Sequence, residues 1–494
     1  MQNPNAFVFI LFGSTGDLSM RKILPGLYQA HRDGVLHPNG RFIATARSAE
    51  NLNNYLEWMD EKVRPKISNE TFNSDEWERF KKRFAYVKLD VGNTNDFSKL
   101  AQEMGNGSEV KVFYLATGPS FFIPICQSLS KLNLQKNARI VLEKPLGSDL
   151  QSSKEINDAV GSIFDESQIY RIDHYLGKEP VQNLLALRFG NVLFEALWRR
   201  EWVESIQITI SEQLGVEERK DFYDKTGALR DMVQNHLLQL LAIVAMEPPI
   251  SMDSDRIRDE KLRVLRALKP LPADKISKFV VSGQYIAGYM DGKKVQAYKD
   301  EVGDNTKNQA HVNTPNKTET FVALQVEIEN WRWAGVPFYL RTGKRLNQRK
   351  AEIVVNFKAV PHSPLGDDAL RPGANRLVIQ LQPQESIRLS CLAKQPGVGM
   401  HLQDVHLDLN IEKILKNKQM EAYERLLLDV IAGRQALFVR RDEQEAAWRW
   451  VEPILKEWQQ PRYVPKTYAS GSWGPHAAST MLARNHTCWL EEEN

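Results

Sequence analysis

Short apolar runs alternate with longer segments of mixed polarity from the N-terminus to Tyr175. The runs Phe7–Leu11, Phe42–Ala46, Tyr86–Leu89, Lys111–Leu115 and Arg139–Leu142 have the length and residue types of strands. Helix-length pieces such as Leu52–Val63 and Phe121–Leu132 lie between them. This alternation predicts βαβ units and a parallel sheet. A last strand, Gln168–Asp173, leads into a helix expected from near Pro180, with Val181, Leu184, Leu185 and Ala186 on one face.

Beyond residue 190 the pattern changes. Ser205–Glu212, Ala323–Glu329, Glu352–Phe357 and Arg376–Leu381 alternate in polarity, as strands with one solvated face do. Helices are expected over Leu229–Met246, Ile257–Leu268, Gln419–Ile431 and Asp442–Lys456. Segment 291–318 is polar and reads as a loop, and residues 461–494, with Gly, Pro and Ser, read as an irregular tail. The predicted fold is α/β plus α+β. An N-terminal parallel sheet with helices precedes a C-terminal domain built on a large, mostly antiparallel sheet with helices.

Composition narrows the function. With 42% hydrophobic and 26% charged residues among 494, the chain is an ordinary globular one that can bury a large core. The balance of 65 basic and 62 acidic residues, net +3, argues against a nucleic-acid partner held by bulk charge. A local basic patch for a small anion stays open. The apolar runs Ala6–Phe12 and Leu237–Met246 are too short to span a membrane, and the start of the chain lacks the features of a signal peptide. Cys126, Cys391 and Cys488 make no zinc spacing and no disulfide framework, so a cytoplasmic location is expected.

The first strand ends in Gly13-Ser14-Thr15-Gly16-Asp17-Leu18. Glycines at a strand–helix turn let a pyrophosphate approach backbone N–H groups, which makes the N-terminal domain Rossmann-like. The spacing is G-x-x-G, with Ser19 at the third glycine position, so a plain turn competes with this reading. Pro25 is placed near a helix start, leaving Arg21 and Lys22 on a short turn. The second strand ends at Arg47-Ser48, where an NAD enzyme usually carries an acid. A guanidinium there favours the 2′-phosphate of NADP over a ribose hydroxyl, unless Arg47 is simply a solvated side chain.

The densest polar stretch is Arg171-Ile-Asp173-His174-Tyr175-Leu-Gly-Lys178, at a strand end just before a helix. A helix start with Lys178 beside it suits an anion. In an extended segment Asp173 and His174 would point opposite ways. The bland alternative has Asp173 capping the turn and His174 buried and satisfied. A second polar cluster, Arg230-Asp231-Met-Val-Gln-Asn-His236, lies on a helix whose leucines predict burial, so its polar groups must be paired or face a cavity. His236 suits proton transfer near neutral pH, with Asp173 available to orient it. Glu143-Lys144-Pro145 follows a strand, and Arg341-Thr-Gly-Lys344-Arg345…Arg349-Lys350 is a basic run after Val336–Leu340.

Together these motifs resemble the glucose-6-phosphate dehydrogenase family. The likeness runs from Phe12-Gly-Ser-Thr-Gly-Asp-Leu through Glu143-Lys-Pro-Leu-Gly, the 171–178 stretch and Arg230-Asp-Met-Val-Gln-Asn-His to Gly335-Val-Pro-Phe-Tyr-Leu-Arg-Thr-Gly-Lys344. Trp473-Gly-Pro475 looks familial too. The resemblance implies oxidation of D-glucose 6-phosphate at C1 to 6-phospho-D-gluconolactone with NADP, in the oxidative pentose phosphate route, by a homodimer or homotetramer. Carried over by position, His236 is the general base and Asp173 its orienting partner. His174, Tyr175 and Lys178 hold the phosphate. Lys144, Glu212, Asp231, Lys344 and Arg349 bind the sugar and its phosphate. Gly13, Ser14, Thr15, Gly16, Asp17, Leu18, Arg47 and Ser48 hold NADP, with Lys144 near both ligands. The resemblance divides the chain into 1–178, the dinucleotide-binding domain, and 179–494, the substrate-binding and oligomerisation domain.

Two departures stand out. Ala116-Thr-Gly-Pro119 has one proline where many members have two. Arg341 and Lys350 match part of a second, structural NADP site of some members, but Val354 stands where another Arg would be, so that site is not expected. Chemically, loss of a C1 hydride to NADP and of the hydroxyl proton to a histidine needs no metal. The competing readings are another two-domain NADP-dependent sugar or polyol dehydrogenase and a catalytically silent NADP-binding sensor. The first has no use for a phosphate cluster, and the second requires a lost base or orienting acid.

Overall fold

A computed structural model describes residues 6–105, 107–303, 316–365, 370, 373–411, 414 and 420–492. The chain forms two compact units. One comprises Met1–Gln182, Pro249–Asp259 and Gln419–Glu445, and the other Asn183–Pro248, Glu260–Lys418 and Ala446–Asn494.

The first unit is built on β1 (Phe7–Phe12), β2 (Arg41–Ala46), β3 (Phe84–Lys88), β4 (Val110–Leu115), β5 (Ala138–Leu142) and β6 (Ile169–Ile172). They pair in parallel in the order β6-β5-β4-β1-β2-β3, and a short strand, Phe438–Val439, adds to β6 antiparallel. Every residue of β1 is buried, as expected for a central strand covered on both faces. Its alternate side chains feed two cores: Phe7, Phe9 and Leu11 on one face, and Val8, Ile10 and Phe12 on the other. The first core is closed by Leu426, Leu427, Val430 and Ile431 of the helix Ala422–Ala432.

The second unit holds a nine-stranded sheet. Its strands are β7 (Val203–Ser211), β8 (Val280–Ile286), β11 (Phe321–Val326), β12 (Phe338–Gly343), β13 (Lys350–Phe357), β14 (Arg376–Gln382), β15 (Ser386–Lys394) and β16 (Leu402–Asn410), plus Lys466–Ala469. The order is β16-β15-β14-β13-β7-β12-β11-β8, with Lys466–Ala469 outside β8. Only β7 with β12, and β8 with Lys466–Ala469, run parallel. A separate hairpin joins β9 (Gly288–Met290) to β10 (Lys293–Val295).

Three expectations are corrected. The tail is not irregular: Lys466–Ala469 extends the sheet, His476–Ala483 is a helix, and Met481, Leu482 and Trp489 are buried with Tyr285, Phe321 and Tyr339. Pieces this short gain their order from tertiary burial, which local periodicity does not register. The 291–318 loop contains β10 and a helical turn, Tyr298–Val302, anchored by the buried Tyr298; residues 304–315 lie outside the described ones. The strand expected to Asp173 stops at Ile172, and residues 173–176 form a turn, so the opposed directions expected of Asp173 and His174 do not arise from a strand. Among the described residues, no helix is long and apolar enough to cross a membrane.

Trp489→Ala should destabilise the protein by roughly 3–5 kcal/mol, the usual cost of emptying a fully buried aromatic site. Denaturant unfolding checks this, and a change within about 0.5 kcal/mol would return the tail to the status of a surface appendage.

Candidate active site

The glycine turn is shaped by two constraints at Gly13. Its φ is +75°, and a Cβ there would lie 2.6 Å from the Ala116 carbonyl oxygen. Glycine alone escapes both penalties. The N–H groups of Gly13 and Ser14 donate to the Thr45 oxygen at 3.2 and 3.1 Å, which ties the turn to the end of β2. The Ser14 side chain is fully buried, and the Gly16 N–H donates to Gly13 O at 3.0 Å. Ser19, in place of a third glycine, donates its hydroxyl to Gly13 O at 2.9 Å and so fastens the helix to the strand end.

The helix opens at Asp17 and Leu18 and passes through a wide π turn, Ser19–Ile23, into Leu24–Arg32. Pro25 stands in the first turn of Leu24–Arg32, as expected, and the short turn that holds Arg21 and Lys22 is the π turn before it. In that turn the Leu24 N–H reaches Ser19 O, and the widened ladder admits a proline that has no N–H to give. Asp17 and Arg21 form an exposed pair at 2.6 Å.

Arg47 and Ser48 follow β2 and are exposed. The Ser48 hydroxyl donates to Thr15 Oγ1 at 3.0 Å, so the two loops meet. Tyr86 holds the second loop from below, its hydroxyl 2.9 Å from the carbonyl oxygens of both Ala46 and Ala49. Sequence reading missed Tyr86, whose role shows only once β3 lies beside β2. A tight backbone approach, a helix start and an exposed guanidinium at the next strand end fit a dinucleotide carrying a 2′-phosphate.

At the ends of β4 and β5, Tyr114 donates its hydroxyl to Glu143 Oε1 at 2.5 Å. Glu143 is buried, and burial lifts its carboxyl to about 7 against the opposing pull of Tyr114, Lys144 and Tyr423. The half-buried Lys144 comes next and is joined to Pro145 by a cis peptide. Beyond β6, the buried Asp173 accepts the Tyr175 N–H on Oδ1 at 2.9 Å, and its carbonyl accepts the Leu176 N–H at 3.0 Å. Asp173 thus caps the turn, whatever else it does. Lys178 places its ammonium 3.4 Å from the Tyr175 ring centre, a cation–π contact. His174 lies parallel to Tyr423, centroids 6.1 Å apart. Gly177 admits the helix Ala422–Ala432, because a Cβ there would come within 2.7 Å of Ala422 O.

In the second unit, the predicted helix over 229–246 is a π turn, Leu229–Leu237, running into Leu238–Ala245. Asp231 and His236 are both buried on it. Lys344 binds Glu212 at 2.7 Å and sits 5.0 Å from the Tyr223 ring centre. Burial holds the Tyr223 hydroxyl well above its ordinary pKa, with the charges of Asp231, Glu319 and Glu212 adding to it. Glu212, Asp231 and Lys344 therefore gather around Tyr223, a residue the sequence reading did not select. Register places Gly343 and Lys350 on either side of Ser211, so the exposed Arg349 stands at the same sheet end. Arg341 and Lys350 have partners of their own: both pair with Glu491, and the Arg341 guanidinium lies 4.0 Å from the Trp489 ring centre.

The sheet order and the glycine turn define the first unit as a dinucleotide-binding fold, and the second unit carries the Lys344–Glu212 pair at the end of its own sheet. Residues 10–183 match the family Glucose-6-phosphate dehydrogenase, NAD binding domain, and residues 185–490 match Glucose-6-phosphate dehydrogenase, C-terminal domain. The chain belongs to the glucose-6-phosphate dehydrogenase family. It is 46% identical over 486 residues to glucose-6-phosphate 1-dehydrogenase of Rhizobium meliloti, covering 98% of this chain and 97% of that one. The enzyme of the same name from Mycolicibacterium smegmatis is 46% identical over 487 residues, 97% of each chain. The crystal structure of glucose-6-phosphate 1-dehydrogenase from Mycobacterium avium superposes with a TM-score of 0.85 at 36% identity, over 99% of both chains. A glucose-6-phosphate dehydrogenase solved with its substrate glucose 6-phosphate gives 0.88 at 35%, over 99% of this chain and 100% of that one.

A carboxyl raised from 4.5 to about 7 costs stability as pH climbs through that window, because the folded form holds its proton longer than the unfolded one. Glu143→Gln removes that titration. Its stability relative to the wild type should rise between pH 4.5 and 7, by up to roughly 3 kcal/mol, and level off above. Unfolding curves at pH 5 and 8 test this; a stability difference that does not change with pH would contradict the assignment.

Proposed function

We propose that this chain oxidises D-glucose 6-phosphate at C1 to 6-phospho-D-glucono-1,5-lactone, with NADP as acceptor, as the first step of the oxidative pentose phosphate pathway. The observation that carries the reading is the 171–178 turn. It gathers His174, Tyr175 and Lys178 at the end of β6 in a chain of this family. A cation over a tyrosine ring beside a histidine, at the carboxyl end of a parallel sheet, is a setting for a phosphate.

Gly13 through Leu18, with Arg47 and Ser48, would hold NADP, which supplies the hydride acceptor when bound. His174, Tyr175 and Lys178 would grip the substrate phosphate, and Lys144, Glu212, Asp231, Lys344 and Arg349 would set the sugar. Anchoring far from C1 restricts the sugar's orientation, so these contacts support turnover as well as affinity. His236 would take the C1 hydroxyl proton at its imidazole nitrogen, and Asp173 would favour the resulting imidazolium. Burial of His236 keeps bulk water from competing for that proton.

In this reading residues 1–178 bind the dinucleotide and contribute Lys144, His174, Tyr175 and Lys178 to the sugar phosphate, while 179–494 supply the remaining substrate contacts and those of a homodimer or homotetramer. The exposed Leu407 and Leu409 on the outermost strand support the latter. The reading places the chain in the cytoplasm, a reducing compartment in which Cys126, Cys391 and Cys488 have no reason to form a disulfide framework.

His236→Asn should lower kcat by ~10²–10⁴-fold while leaving glucose 6-phosphate binding largely intact, the pattern of a lost general base. Steady-state kinetics with an equilibrium binding measurement checks it. An unchanged kcat in folded protein would remove His236 from the chemistry.

A further inference from the structure

Glu319 was not among the residues the motifs select, and it lies two residues before β11 in a polar stretch. Its side chain is buried, and Oε1 accepts the Leu229 N–H at 2.9 Å. Its main-chain oxygen accepts the Ala228 N–H at 3.0 Å. One residue, 90 positions away in sequence, thus satisfies two of the N–H groups that a helix start leaves open. The preceding backbone is shaped to receive it. Gly227 is at φ +72°, and a Cβ there would lie 2.4 Å from Glu319 Oε1. The helix held in this way is the one that carries Asp231 and His236.

The next peptide group holds the other side of the same cluster. Thr320 O accepts the Lys344 N–H at 2.9 Å, and the Tyr468 hydroxyl donates to Lys344 O at 2.7 Å. Glu319 and Thr320 therefore grip the Asp231 helix and the Lys344 turn from adjacent backbone positions. A small cavity of about 170 Å³ borders the bond and is lined by Arg230, Gly227, Trp458 and Tyr463 among others, so the helix start has room to shift if the bond is lost.

We propose that Glu319 is a positioning residue for the sugar-phosphate site: its bond to Leu229 sets where Asp231 stands relative to Lys344. The inference rests on the assignment of Asp231 and Lys344 to substrate binding. Glu319 touches no reacting atom, and its effect passes through the helix.

Three variants of the full chain test it: Glu319→Ala, Glu319→Gln and Glu319→Asp. Removing the acceptor in Glu319→Ala should raise KM for glucose 6-phosphate about tenfold, with KM for NADP within about twofold of the wild type. Glu319→Gln keeps an acceptor oxygen at the same reach and should recover most of that loss. Glu319→Asp, one methylene short, should fall between them and serves where the alanine protein is not isolated folded. An unchanged KM for glucose 6-phosphate in folded Glu319→Ala, or equal rises in both KM values, would overturn the proposal. So would a glutamine variant as impaired as the alanine one. Asp231→Asn separates the two levels. If that variant leaves KM for glucose 6-phosphate unchanged, the underlying assignment of the helix fails, whatever Glu319 does.

Discussion

The apolar face formed by Phe9, Leu11 and Tyr114 has to be covered, and the cover is the helix Ala422–Ala432, supplied from far along the chain. Burying its leucines against this face stabilises the first unit at roughly 25 cal/mol per Å² of apolar surface removed from water. The same docking brings polar parts of the helix to the strand ends. Tyr423 reaches Glu143 and lies along His174, and Ala422 O presses on Gly177. The core contact thus fixes the loops that carry the candidate chemistry, and those loops would be less defined without it.

Buried carboxylates perform the matching task at the loops themselves. Glu143 accepts from Tyr114 at the end of β4, and Asp173 caps its own turn. Glu319 holds a helix start in the second unit. Each accepts from a specific hydroxyl or N–H group, which is how a buried acid avoids a prohibitive cost. Burial still holds Glu143 and Glu319 near 7, so both are poised to change charge close to neutrality. The exposed ion pairs, such as Asp17 with Arg21, contribute little beside these.

Much of this was legible in the sequence because it depends on local pattern. The all-apolar run at Phe7 announced a central parallel strand, and Gly13-Ser-Thr-Gly16 marked the turn after it. Arg171 to Lys178 stood out because polar groups crowd a strand end before a helix. The residues that were missed act through partners distant in sequence. Tyr86 matters because β3 lies beside β2, Tyr423 because a late helix returns to the first sheet, and Glu319 because a turn meets Gly227. Trp489 looked like part of a loose tail, yet it is fully buried against the second sheet. No window of local sequence holds that information.

The most direct test is a comparison of initial rates for the purified protein, with glucose 6-phosphate or glucose and with NADP or NAD, followed by reduced-nicotinamide absorbance. The account predicts fast turnover only with the phosphorylated sugar, and a higher kcat/KM for NADP than for NAD, since one anion site reads each phosphate. Equal rates with glucose and its 6-phosphate would contradict the role given to His174, Tyr175 and Lys178 and, with it, the central claim.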